Sequence, residues 1–162
     1  MIDWINRNEA LHILTIEDPV EFVHESRKSL IWHREVELHT NSAVKTVERV
    51  LGMYSPEEQE SVRRSLSESL LGVIAQGLIK TTDAKRAAYH DILINTDACK
   101  DYIQRGALDE VEDIMERSGF DGMVTTNQSL LALVEAGRID GDQAVAVSLK
   151  PNELAQALRG RS

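Results

Sequence analysis

The chain has 162 residues, 42% of them hydrophobic and 28% charged, which suits one domain with a core of ordinary size and argues against intrinsic disorder. Its net charge of −9 disfavours a nucleic-acid partner, no apolar run reaches the length of a membrane span, and Met1-Ile-Asp-Trp4 is no signal-peptide start. Cys99 is the single cysteine, so neither an internal disulfide nor a thiolate metal cage can form, and a soluble cytosolic protein is expected.

Met1 to Asn6 reads as the tail of a helix with Ile2 and Ile5 on its apolar side. Leu11 to Ile16 reads as a buried strand that stops at Pro19, leaving Glu17, Asp18 and Glu21 at its mouth. Ser29 to Val36 is a second extended segment. From Asn41 the period becomes helical: Asn41 or Ser42 can cap a helix carrying Val44, Val47, Val50 and Leu51, with Gly52 as its stop. Ser55-Pro-Glu-Glu58 is the clearest start signal, with a cap, a proline at the first helical position and a glutamate where a capping box wants it. The apolar spacing Val62, Leu66, Leu70, Val73, Ile74 predicts that this helix runs to Gly77. Leu78 to Lys80 and Ala87 to Ile94 are expected as strands joined by the polar Thr81–Arg86 turn. Short helices follow: one from Thr96 to Gly106, one over Leu108–Ser118, one over Asn127–Ala136, and an Asp142–Leu158 region interrupted by Pro151.

An apolar strand ending in acids before a breaker is how an open α/β sheet presents chemistry at a carboxyl end. Glu17 and Asp18 can hold a metal-bound water, orient an attacking water or accept a proton, or they can merely end the strand. Glu21-Phe-Val-His24 formally matches the E-x-x-H pair of di-iron helices, but Pro19 and extended flanks oppose a helix and no second pair exists. His39 stands just before a helix cap among Thr40, Asn41 and Ser42, a place where an imidazole can meet a phosphate. A lone surface histidine is the commoner explanation. His12, His33 and His90 have no partner at ligand spacing, and Cys99, beside Tyr102 and Ile103, reads as a packed thiol.

Ile13-Leu-Thr-Ile-Glu-Asp-Pro-Val-Glu-Phe-Val-His24 closely resembles the Asp box of the PilT-like pilus-retraction ATPases, in the type II/type IV secretion ATPase family. Leu38-His-Thr-Asn-Ser-Ala43 with Val44-Lys-Thr resembles the close of that family's His box. Ser55-Pro-Glu-Glu-Gln59, Leu70-Leu-Gly-Val-Ile-Ala-Gln76 and His90-Asp-Ile-Leu-Ile-Asn-Thr96 are similar to the segments that come next, so the likeness covers nearly the whole chain in the family's order.

The resemblance implies an α/β fold: a partial RecA-like P-loop ATPase core over residues 1–95, then a carboxyl-terminal helical region over 96–162. It implies Glu17, Asp18 and Glu21 as Asp-box acids near the nucleotide, and His39 with Thr40 as His-box residues contacting the terminal phosphate. The family uses ATP with magnesium in a hexameric ring to disassemble pilin filaments. The implied partners are therefore further copies, intact family subunits and pilus inner-membrane base proteins, and the implied location is cytoplasmic or peripheral at the inner membrane.

The departures are large. No G-x-x-x-x-G-K-[ST] loop occurs, and by the resemblance it would precede Met1. The family's Arg-Glu-Val-Gly is present as Arg34-Glu-Val36, after which several dozen residues, including the Walker B acid, are missing before His39. Ala98-Cys-Lys-Asp-Tyr-Ile-Gln-Arg105 stands where relatives carry Ala-Ile-Arg-Asn-Leu-Ile-Arg-Glu. Without the loop's amides and lysine nothing cradles the phosphates, so neither tight ATP nor tight magnesium binding is expected, and no protein metal site. The expectation is a fragment of a retraction ATPase, inactive alone. The alternative is a helical binding module docking onto intact pilus or secretion ATPase subunits, with Ile114, Met115, Leu130, Leu131, Leu133 and Val134 either packed internally or offered to a partner.

Overall fold

A computed structural model of the chain describes residues 2–10, 12–17, 23–35, 42–117 and 122–160. Contacts divide the chain into two units, Met1–His39 and Thr40–Ser162.

In the first unit, helix α1 (Ile2–Asn8) precedes strands β1 (His12–Glu17) and β2 (Leu30–Glu35), each within a residue or two of expectation. The strands pair in parallel from His12 opposite Leu30 to Glu17 opposite Glu35, so both reach their carboxyl ends at the same edge. The return toward β2 is fastened by Asn6, which is buried on α1. Its Nδ2 donates to the Glu25 carbonyl at 2.8 Å and its Oδ1 accepts from the Arg27 amide at 2.9 Å. The Lys28 amide adds a bond to the Asn6 carbonyl, and the Ser29 hydroxyl one to that of Glu9.

The second unit opens with α2 (Ala43–Gly52), capped by the Ser42 hydroxyl, which accepts from the Lys45 amide. Ala43, Val44, Val47 and Leu51 are buried as the spacing predicts. Gly52 is not a left-handed stop: it is the last helical residue, and Met53 follows in right-handed geometry. Helix α3 (Pro56–Ser69) begins on the expected cap, with the Glu58 carboxylate accepting from the Ser55 amide at 3.1 Å and hydroxyl at 2.8 Å.

The end of α3 corrects the sequence reading. Helix stops at Ser69, Leu70 turns extended, and Gly72–Lys80 is strand β3, paired antiparallel with β4 (Arg86–Ile94) from Gly72 opposite Ile94 to Lys80 opposite Arg86. Leu66, Leu70 and Val73 do share a helical spacing, but the Leu71–Ile79 run satisfies its backbone against β4 instead. Asn95, next after β4, fixes the stop by donating from Nδ2 to the carbonyls of Ser67 and Leu70, at 2.9 and 2.8 Å. Gly77, expected as a helix stop, is a mid-strand residue lying under the Tyr89 ring. Ser67 is the one fully buried residue of α3, and Val62 and Leu66 pack partly buried against the core.

The remaining helices follow their punctuation: α4 (Asp97–Arg105), α5 (Leu108–Arg117), α6 (Thr126–Glu135), α7 (Gly141–Val147) and α8 (Pro151–Arg159). Thr96 caps α4 and left-handed Gly106 ends it at φ 74°. Pro151 does not merely interrupt the last region; it starts α8 at a position where a missing N–H costs nothing. One face of the hairpin is buried, and on β4 this face is Ala87, Tyr89, Asp91 and Leu93. Leu93 belongs to a core with α2, α4, α5 and Met123, whereas Ile79, Ala87 and Tyr89 pack with α6, α7 and α8. Met115 and Leu130 are buried, and Ile114, Leu131, Leu133 and Val134 pack partly buried against these cores, so the apolar helix faces are used internally. Cys99 is fully buried, as a packed thiol should be. Among the described residues, no helix is long and apolar enough to cross a membrane.

Candidate functional site

Glu17 closes β1, level with Glu35 closing β2, so the peptide leaving each strand departs from the carboxyl edge of one parallel pair. That edge is where open α/β sheets place their ligands. Asp18, Glu21, His39 and Thr40 lie outside the described residues. In the same unit, α1 and residues 23–27 enclose an open depression of about 490 Å³ whose lining includes Asp3, Asn6, Arg7, His24 and Arg27. Asn6 forms its built part, because its two amide bonds set where the chain emerges from the Asp box. Arg7 is engaged by Asp3 at 2.7 Å on the surface.

The His box re-enters the described structure at Ser42, where Asp91 holds it. Asp91 is 5% exposed, and its Oδ1 accepts from the Ala43 amide at 2.8 Å. Its Oδ2 accepts from the Thr126 amide at 2.8 Å and hydroxyl at 3.0 Å. One buried carboxylate therefore joins the first turns of α2 and α6, with the positive ends of both helix dipoles directed at it. It stands between Tyr89 and Leu93, at the seam of the two cores. The sequence reading passed over it, although the signal was available: an acid on the buried, period-two face of β4 has to be partnered.

Four backbone amides at these helix starts are used within the fold. Ala43 and Thr126 bond Asp91, the Lys45 amide bonds Ser42, and the Gln128 amide bonds the Thr125 hydroxyl at 3.3 Å. Lys150 lies 3.1 Å from Glu112 and 2.6 Å from Glu116, and the Glu116 bond, followed by Glu112, holds its ammonium above the usual lysine range. Among the described residues no group of three or more His, Cys, Asp or Glu side chains could hold a metal ion.

No family model matches the chain. It is 34% identical to a twitching motility protein of Neisseria gonorrhoeae over 193 aligned positions, covering 89% of this chain and 52% of that protein. It is 33% identical to the type IV pilus retraction ATPase PilT of Pseudomonas aeruginosa over 192 positions, covering 89% of this chain and 56% of that one. Both alignments are longer than the 162-residue chain itself, so several dozen positions of each relative stand opposite gaps. The fold matches the crystal structure of a pilus retraction motor PilT with bound ADP at a TM-score of 0.70 and 28% identity, covering 96% of this chain and 58% of that one. The chain spans about half the length of the relatives it matches. Over that stretch it is a PilT-like member of the type II/type IV secretion ATPase family, built on part of a RecA-like α/β core followed by a helical region.

Proposed function

We propose that this chain is a shortened PilT-like retraction ATPase whose residues 1–95 are a remnant of the motor core and whose residues 96–162 are its helical region. In this reading it does not hydrolyse ATP by itself. The observation that carries the proposal is internal to the chain. The family pattern breaks between Val36 and Leu38, and the alignments skip several dozen positions of each relative. The break falls directly after β2, in the stretch where the family's Walker B acid belongs.

The surviving boxes have roles that follow from chemistry. Glu17 and Asp18, with Glu21 less directly, would order a water at the carboxyl edge of β1. His39 and Thr40 would approach a terminal phosphate. ATP and magnesium are what the relatives imply. Phosphoryl transfer depends almost wholly on positioning and on neutralising developing charge. Two boxes without the Walker B acid lack a principal part. Assembly into a hexamer, contact with intact family subunits or pilus base proteins, and a cytoplasmic place beside the inner membrane are parts of the same proposal.

Phosphate release from the purified chain with magnesium-ATP is expected to equal that of a Glu17→Ala variant. A magnesium-dependent rate above that control refutes the proposal. The second reading, a helical docking module, is favoured by one observation: a groove along α5, α6 and α8 keeps an exposed leucine although the helices' other apolar faces are packed.

A further inference from the structure

A groove of about 270 Å³ is lined by the second half of α5, the first two turns of α6, the first turns of α8, and Ser42 and Val44 at the start of α2. Its apolar lining is Met115, Leu131, Leu154 and Ala157, and Leu149 is left 39% exposed beside them. Its charged lining is Glu112, Glu116, Glu153 and Lys150, together with the buried Asp91, which is engaged by Ala43 and Thr126. The ammonium of Lys150 is bonded to both Glu112 and Glu116, so the rim carries an excess of carboxylate.

Several donors beside the groove are already engaged. Thr126 and Ala43 bond Asp91, and the Gln128 amide bonds Thr125. An anionic ligand would meet a neutralised lysine and three carboxylates. A cation meets Glu153 and the outward oxygens of the Lys150 partners, over a surface whose whole chain carries −9. The volume is just below the ~300 Å³ where small-molecule sites begin, and suits the anchor side chain of a peptide.

We propose that this groove docks a basic, apolar segment of another protein, one large aliphatic or aromatic side chain entering beside Leu149 and Leu131 with lysine or arginine flanks on Glu116 and Glu153. The proposal rests on the docking-module reading and is independent of nucleotide. It is distinct from the acids at the carboxyl edge of β1.

The probe is a fluorescein-labelled amphipathic helical peptide of alternating leucine and lysine turns, with a twin in which every lysine is glutamate. Fluorescence anisotropy with the full chain should show saturable binding of the lysine peptide and none of the twin. Leu149→Asp should weaken it at least about tenfold. Glu116→Lys with Glu153→Lys should do the same, while Glu60→Lys with Asp142→Lys, an equal charge change away from the groove, should leave it intact. Circular dichroism checks that each variant is folded. Equal binding of both peptides, an unchanged affinity in Leu149→Asp, or equal weakening by the distant charge pair overturns the proposal. If Leu149→Asp still co-purifies with an intact PilT-like subunit, the module reading stands and the groove is not its surface.

Discussion

Replacing Asp91 is the sharpest test of how the His-box side of the molecule is held. Asp91→Ala removes the acceptor of the Ala43 amide and of both Thr126 donors in one step. Each is a charge-assisted bond in a buried place, and stranding a buried donor costs about 1–3 kcal/mol. Relief of the carboxylate's own desolvation offsets part of the loss. The net expectation is about 3–4 kcal/mol, a large share of the ~5–15 kcal/mol that holds a domain together. Asp91→Asn keeps one acceptor oxygen but turns an NH2 toward the other donors, so about half that loss is expected. Urea unfolding measures the loss, with the midpoint moving and the slope constant. Amide exchange should quicken at both residues 43–46 and 126–129, because one side chain serves both helix starts. A loss below about 1 kcal/mol in Asp91→Ala, or quickening at one helix only, would refute the shared-clamp argument.

Three further outcomes are expected. A Cβ at Gly77 would fall 2.1 Å from the Tyr89 ring, so Gly77→Ala should cost about 1–3 kcal/mol in urea titration, and far less in a Tyr89→Ala background. Burial pushes the Tyr89 phenol above its ordinary value of 10.0. The folded state binds that proton more tightly than the unfolded state, so stability is full below pH 10 and falls as pH rises through the raised value; Tyr89→Phe should flatten that alkaline limb in thermal melts, and an unchanged limb would contradict it. In hydrogen exchange, β4 and α4, around the fully buried Leu93, Cys99 and Ile103, should be the most protected. The first unit, whose described strands are one two-stranded sheet, should exchange fastest, and equal protection of His12–Glu17 and β4 would sink this expectation.

Most element starts were legible because the physics that sets them is local. Ser42, Ser55 and Thr96 each precede a helix whose orphan amides need a nearby oxygen, and Gly106 occupies a backbone region that a Cβ disfavours. The α3–β3 boundary was not local. Val62, Leu66, Leu70 and Val73 fit a helical stripe, and the contest was decided by Asn95, twenty-five residues beyond Leu70, and by nine paired positions of β4. A helix reading counted apolar spacing; the strand reading required knowing that β4 was available. The need for a partner at Asp91 was legible from its place on the buried face of β4, but its partners were not, for the same reason. Its function depends on two helix starts forty-eight and thirty-five residues away, neither of which its neighbours in sequence reveal.

The two units also separate motif from mechanics. The residues that carry the family likeness most strongly, around Glu17, sit on a parallel pair that is two strands wide among the described residues. Parallel strands are ordinarily covered on both faces by further strands and helices, because their stability comes from burial more than from their slanted hydrogen bonds. A catalytic carboxylate has to be held within about half an ångström of its working position, and only a rigid, packed scaffold does that. Under the proposed internal gap, the chain loses a Walker B acid and, with the same residues, the neighbours that would stiffen β1 and β2. Restoring the missing acid alone should therefore not restore turnover. Inserting the relatives' whole block between Val36 and Leu38 should raise the exchange protection of β1, even where ATP is still not hydrolysed. If protection of β1 stays unchanged with the block in place, the gap is not what leaves that strand unsupported.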